Sequence, residues 1–175
     1  GADYEGHERG EDLVHRHVAE MEVRREAARD VLLRLVARLR VSSQALVEEP
    51  AMWSAGIDLY GDSDIAESFR HGDRSGRLDL QKMMGSPDDP SRAAAYRRGS
   101  PIHRAERIEA PLLFLHGRKD KRVVPLMTEK MVEALGIESK THEVHWYDDE
   151  AHGWERRENR RDAYERILRF LRTHM

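Results

Sequence analysis

The sequence predicts an α/β fold, in which parallel strands alternate with flanking helices. Three observations carry that expectation. The first is the apolar run Pro-Leu-Leu-Phe-Leu at 111–115, closed by His116-Gly117. A run so short and so continuously apolar suits a strand buried on both faces, as in a parallel sheet. The second is the order strand, excursion, strand, helix, strand, helix, which is the rhythm of βαβ units. The third is a pair of amphipathic stretches, Leu126–Leu135 and Asn159–Thr173, each following a strand candidate. Three strands make half a sheet at most, so part of a larger architecture is expected.

Taken in order, residues 1–10 are polar and glycine-bearing and are expected to be loose. Glu11 to Glu49 holds no glycine or proline, and Leu13, Val14, Val18, Met21, Ala28, Val31, Leu32, Leu35, Val36 and Leu39 recur at helical spacing. This predicts a long amphipathic helix from about residue 11, with a break near Val41-Ser42-Ser43. After Pro50, the segment Ala55–Tyr60 reads as a buried strand ended by Gly61 and Asp62. Residues 62–109 are rich in glycine and proline, with short helices expected around Ile65–Phe69 and Leu78–Met84. They read as an excursion across one edge of the sheet. Beyond the 111–115 strand, Pro125 opens the helix Leu126–Leu135, and Gly136 is expected to close it as a left-handed cap. Thr141–Tyr147 alternates and is rich in strand formers, and Asp148–Gly153 is a loop before the last helix. Tyr164, Ile167, Leu168, Phe170 and Leu171 are expected to form that helix's apolar face.

Composition narrows the function classes. The chain of 175 residues is 39% hydrophobic and 36% charged, and 30 basic against 33 acidic residues leave a net charge of -3. A balance so well mixed gives no electrostatic case for nucleic acid or an anionic membrane surface. There is no cysteine, which excludes disulfides, thiolate catalysis and cysteine-bound zinc. No apolar stretch reaches transmembrane length and no signal peptide opens the chain, so a cytoplasmic location is the default expectation. His15 and His17 are two apart on a helix and point in different directions, and His142 and His145 fall on opposite faces of a strand. Neither pair is expected to hold a metal. His116 is read as structural. Met83, Met84, Met127 and Met131 are read as core filler, and no cofactor is expected.

Asp120 follows one strand and His152 lies in the loop after the next. If those strands are parallel neighbours, both loops open on the sheet edge where α/β folds place their chemistry. A buried carboxylate accepting from one imidazole nitrogen fixes the tautomer and leaves the other nitrogen as a base. Gly153 would allow close backbone approach in that loop. Spacing alone leaves a second reading open: Asp120 caps the helix that starts at Pro125, and His152 is a surface residue near Asp148, Asp149 and Glu150.

The residues themselves say more. "APLLFLHGRKDKRVVP" at 110–125 and "HEVHWYDDEAHGW" at 142–154 resemble the C-terminal part of the prolyl oligopeptidase family of serine peptidases, which have the α/β-hydrolase fold. "PAMWSAGIDLYGDSD", "MMGSPDD", "YRRGSPIHRAERIEAP" and "NRRDAYERILRFL" are similar to further segments of that family, so the resemblance runs from about Val41 to the C-terminus. It implies a partial α/β-hydrolase at 41–175 behind an atypical segment at 1–40. It also implies Asp120 as triad acid, His152 as triad base, a peptide or small acyl substrate, and no metal or organic cofactor. The chain order acid then histidine agrees with this fold.

One departure matters. The family presents its serine in a Gly-x-Ser-x-Gly elbow shortly before the segment matching Pro50, because the turn is strained and substrate must approach the hydroxyl. Arg24–Val41 contains neither glycine nor serine, and "VLLRLVARLR" stands in that place. Ser42 and Ser43 lack glycine neighbours and suit the helix that follows an elbow. Little or no peptidase activity is therefore expected of this chain alone. The alternatives are an esterase or other acyl hydrolase on the same fold, and a non-catalytic pseudoenzyme acting through association, including with a second copy of itself.

Overall fold

The computed structural model describes residues 42–175. Most of the helix expected from residue 11 onward lies outside the described residues. Its last stretch is helical, as α1 (Ser42–Glu48). A 3-10 turn at Pro50–Met52 leads to β1 (Gly56–Leu59). Three short helices follow: α2 (Ile65–His71), α3 (Arg74–Met84) and α4 (Ala93–Gly99), and then a 3-10 stretch at Pro101–Arg107. The remainder is β2 (Leu112–Gly117), α5 (Leu126–Ile137), β3 (His142–Tyr147) and α6 (Arg157–His174).

The three strands form a sheet in the order β1-β2-β3, with both pairs parallel. Successive side chains of a strand point to opposite faces, and β2 displays the consequence most fully, since all six of its residues are buried. Leu112 and Phe114 join a core with Leu46 and Val47 of α1, Ile108 of the preceding segment, and Met131 and Leu135 of α5. Leu113 and Leu115 join the opposite core with Ile57, Tyr147 and Ala163, Ile167 and Phe170 of α6. Each large apolar side chain fully buried this way contributes about 1.5–3 kcal/mol. Helices therefore cover both faces of β2, which is why its sequence is continuously apolar instead of alternating.

The glycine-rich excursion is more helical than its composition suggests. Asp64 accepts from Glu67 N–H at 3.2 Å and Asp73 accepts from Gly76 N–H at 2.7 Å, so α2 and α3 begin on side-chain caps. Helix α4 was not expected at all.

Several local expectations are corrected. Gly136 lies inside α5, and the residue in the left-handed region after that helix is Ser139, at φ 53°. On α6, Tyr164 and Leu168 are exposed, and Ala163 takes the place in the buried stripe. The stripe runs Ala163, Ile167, Phe170 at spacings of four and three, so the two larger residues beside it fall outside the contact face. Met127 and Met131 are core residues as expected, but Met83 is exposed on α3, a helix that buries none of its residues.

Candidate active site

The C-terminal ends of β2 and β3 are fastened together by backbone hydrogen bonds beyond their ladder. Arg118 N–H donates to the Tyr147 carbonyl at 2.8 Å and Lys119 N–H to the Glu150 carbonyl at 2.9 Å. Gly117 permits this closeness, since a Cβ at that position would run into the backbone of Glu150 and Ala151. At Gly153 the expected close approach is absent, because nothing lies within 4 Å of a Cβ there. Its role is conformational: φ is 133°, where a side chain is strained.

The two loops bring Asp120 and His152 together. His152 Nδ1 lies 2.8 Å from Asp120 Oδ2, with the Asp120 side chain fully buried and the His152 side chain 40% exposed. The other carboxylate oxygen, Oδ1, accepts the N–H groups of Arg122 at 2.8 Å and Val123 at 2.9 Å. Asp120 thus organises its own loop and does not cap the helix after Pro125. His116 Nε2 is a fourth neighbour, 3.3 Å from Oδ2. Burial by itself pushes the Asp120 carboxyl up, but the hydrogen bonds from His116, His152 and Val123 outweigh it and hold the group well below the usual carboxylate range. An ionised Asp120 accepts only, so His152 carries its proton on Nδ1 when neutral. The Nε2 lone pair then has no hydrogen-bond partner among the described residues, which suits a general base.

The sequence had offered Asp148, Asp149 and Glu150 as an acidic surround for a surface histidine. Glu150 is instead only 1% exposed. Its carboxylate accepts the N–H groups of Glu155 and Arg156 and the Asn159 amide, each at 2.9 Å. Burial raises its pKa, yet those donors bring it below the ordinary value. Glu150 therefore ties the His152 loop to the start of α6.

Two further residues were missed. Tyr60 follows β1 at φ 44°, and its ring centroid lies 4.6 Å from that of His152 and 5.5 Å from that of Trp154. A positive φ on a tyrosine is strained, and such strain concentrates near functional sites. The turn is held by Asp58, whose Oδ1 accepts Gly61 N–H at 2.7 Å and whose Oδ2 accepts the Ser43 hydroxyl. Burial pushes the Asp58 carboxyl up despite those two donors. Ser43 is itself buried. Charge runs and isolated tyrosines carry no periodic signal, so nothing in the sequence singled out Tyr60 or Asp58.

Parallel strands, helices on both faces of β2 and loops gathered at the strand C-termini are the features of an α/β-hydrolase in part. The Prolyl oligopeptidase family model matches residues 41–175, and the chain belongs to that family. It is 30% identical over 134 residues to Dipeptidyl peptidase family member 6 of Caenorhabditis elegans, covering 73% of this chain and 18% of that protein. It is 28% identical over 121 residues to Dipeptidyl aminopeptidase BIII of Pseudoxanthomonas mexicana, covering 63% of this chain and 16% of that one. The chain thus spans less than a fifth of either relative's length. Among solved structures, Pyrococcus horikoshii acylaminoacyl peptidase superposes with a TM-score of 0.68 at 24% identity, over 83% of this chain and 26% of that one, a likeness of fold. Among the described residues, no helix is long and apolar enough to cross a membrane.

Proposed function

We propose that residues 41–175 are the C-terminal part of a serine peptidase catalytic domain, preceded by an atypical segment at 1–40, with Asp120 as triad acid and His152 as triad base. The observation that carries this reading is the 2.8 Å contact between His152 Nδ1 and the buried Asp120 carboxylate. It sits at the ends of adjacent parallel strands, in a chain of this family. In the reaction the pair would serve, His152 Nε2 removes the proton from a serine hydroxyl as the oxygen bonds to the peptide carbonyl carbon. The imidazolium then gives that proton to the departing amine as the C–N bond breaks, and a water molecule repeats the sequence to release the acid. Asp120 keeps Nδ1 protonated and stabilises the transient imidazolium.

The sequence supplies no Gly-x-Ser-x-Gly for this pair to act on. Ser43, the nearest candidate with a described side chain, donates to Asp58 and sits in a helix. The chain alone is therefore expected to hydrolyse peptides negligibly. Incubation of the purified protein with a fluorophosphonate probe tests this, and no labelling is the expected result. Stoichiometric labelling that disappears in His152→Ala would show that a working nucleophile exists after all. The pair itself is tested by grafting a Gly-x-Ser-x-Gly elbow into the 24–41 segment and assaying a proline-containing peptide against a p-nitrophenyl ester. Gain of turnover that depends on both Asp120 and His152 is expected.

A further inference from the structure

We propose that His116 is a positioning residue of this site, whose Nε2–H holds Asp120 Oδ2 against His152. The inference rests on the Asp120–His152 reading and deepens it. The strand pleat sends His116 to the same face of β2 as Leu112 and Phe114, the face covered by α5, and its side chain is fully buried. There its Nδ1 lies 2.7 Å from Thr128 Oγ1 and its Nε2 lies 2.9 Å from the Val123 carbonyl oxygen.

Those two partners settle the tautomer by chemistry. A carbonyl oxygen only accepts, so Nε2 must carry the hydrogen. A neutral ring then has a lone pair at Nδ1, which the Thr128 hydroxyl can donate to. The Nε2–H bonds to the Val123 carbonyl, and Nε2 also lies 3.3 Å from Asp120 Oδ2, the same oxygen that accepts from His152. Asp120 Oδ1 is already fixed by two backbone N–H groups of its own loop. A donor on the inner side of Oδ2 opposes the remaining freedom of the carboxylate, rotation about its Cβ–Cγ bond. Thr128, His116, Asp120 and His152 therefore form one row of close polar contacts from a buried helix face to the exposed imidazole. The merely architectural reading, in which His116 only ties the 117–123 loop to α5, requires no effect on His152.

The test needs no turnover. In the full-length, isotope-labelled chain, NMR should reveal a downfield, slowly exchanging Nδ1–H of His152, which disappears in Asp120→Asn. His116→Met keeps bulk but removes the donor, and is expected to abolish the signal or broaden it away. His116→Gln, which can place an N–H near the original Nε2, is expected to restore it. Thr128→Val, nearly the same shape, should speed exchange by about tenfold, the effect of one neutral hydrogen bond. If His116→Met folds and leaves the His152 signal and its exchange unchanged while Asp120→Asn removes it, the His116 proposal is overturned and the acid–base pair stands. If His116→Met does not fold, Thr128→Val decides, and exchange at the unaltered rate overturns the proposal. A wild-type chain with no such signal overturns the pair and the proposal together.

Discussion

Replacing Asp120 with asparagine changes one atom, and the structure says what that atom does. In Asp120→Asn the Oδ1 can still accept from Arg122 and Val123. The amide that replaces Oδ2 then faces two donors, His152 Nδ1–H at 2.8 Å and His116 Nε2–H at 3.3 Å. His116 cannot give up its proton without losing the Val123 carbonyl, so His152 must turn over to the wrong tautomer or break away. Loss of one charge-assisted hydrogen bond is worth about 1.5–3 kcal/mol, and the weaker His116 contact goes with it. A loss of about 2–3 kcal/mol at pH 7 is therefore expected. The sign of its pH dependence follows from the carboxyl being held below its unfolded value. That stabilisation is complete above the unfolded pKa of about 3.9 and drains away as pH falls through it toward the folded value. Urea unfolding of wild type and Asp120→Asn at intervals from pH 7 to pH 3 measures the gap. The gap should be level above about pH 5 and should shrink below about pH 4. A gap that stays constant to pH 3, or that is absent at pH 7, refutes the reasoning.

Other expectations are simpler. Gly117→Ala forces a methyl group against the Glu150 and Ala151 backbone, which cannot retreat without parting the loops; a loss of about 1–3 kcal/mol is expected in thermal unfolding. Glu150→Gln keeps the shape but weakens three charge-assisted contacts and should cost about 1–3 kcal/mol. Hydrogen exchange should show the backbone N–H groups of Glu155 and Arg156 losing protection first in that variant. Asp58→Asn runs the other way. Burial raises that carboxyl in the folded protein, so its stabilising contribution is full below about pH 3.9 and is lost as pH rises. The asparagine protein should be at least as stable as wild type at pH 7 and lose that advantage toward pH 4; a deficit that widens as pH rises would contradict this.

What the sequence disclosed follows the strength of its periodic and punctuating signals. Strand β2 was legible because burial on both faces demands an unbroken apolar run, and α6 because eighteen residues leave room for a stripe. The stripe's membership was less legible. Helical spacing admits a wider face than the sheet covers, which is why Tyr164 and Leu168 were taken inward and Ala163 overlooked. The spacing of Asp120 and His152 left their pairing open, and the likeness of the residues around them to the prolyl oligopeptidase family is what singled the two out. Glu150 was not legible, since a buried carboxylate with three donors has the same sequence signature as a solvated one. Tyr60 was hidden for a related reason: nothing before a structure announces a left-handed tyrosine.

The same contacts explain how the proposed acid–base pair can stand in a sequence with no Gly-x-Ser-x-Gly motif. Asp120 takes two of its four donors from its own loop, and a third, His116, from the strand that delivers it. His152 is presented by a loop that is hydrogen-bonded to the Asp120 loop through Lys119 and to α6 through Glu150. All of these groups lie between residues 116 and 159, in β2, the loops after β2 and β3, and the start of α6. Selection for folding would therefore preserve the pair whether or not a nucleophile preceded it. On this argument the His152 Nδ1–H signal should be present in the chain that a fluorophosphonate leaves unlabelled. Absence of the signal would overturn this argument together with the pair.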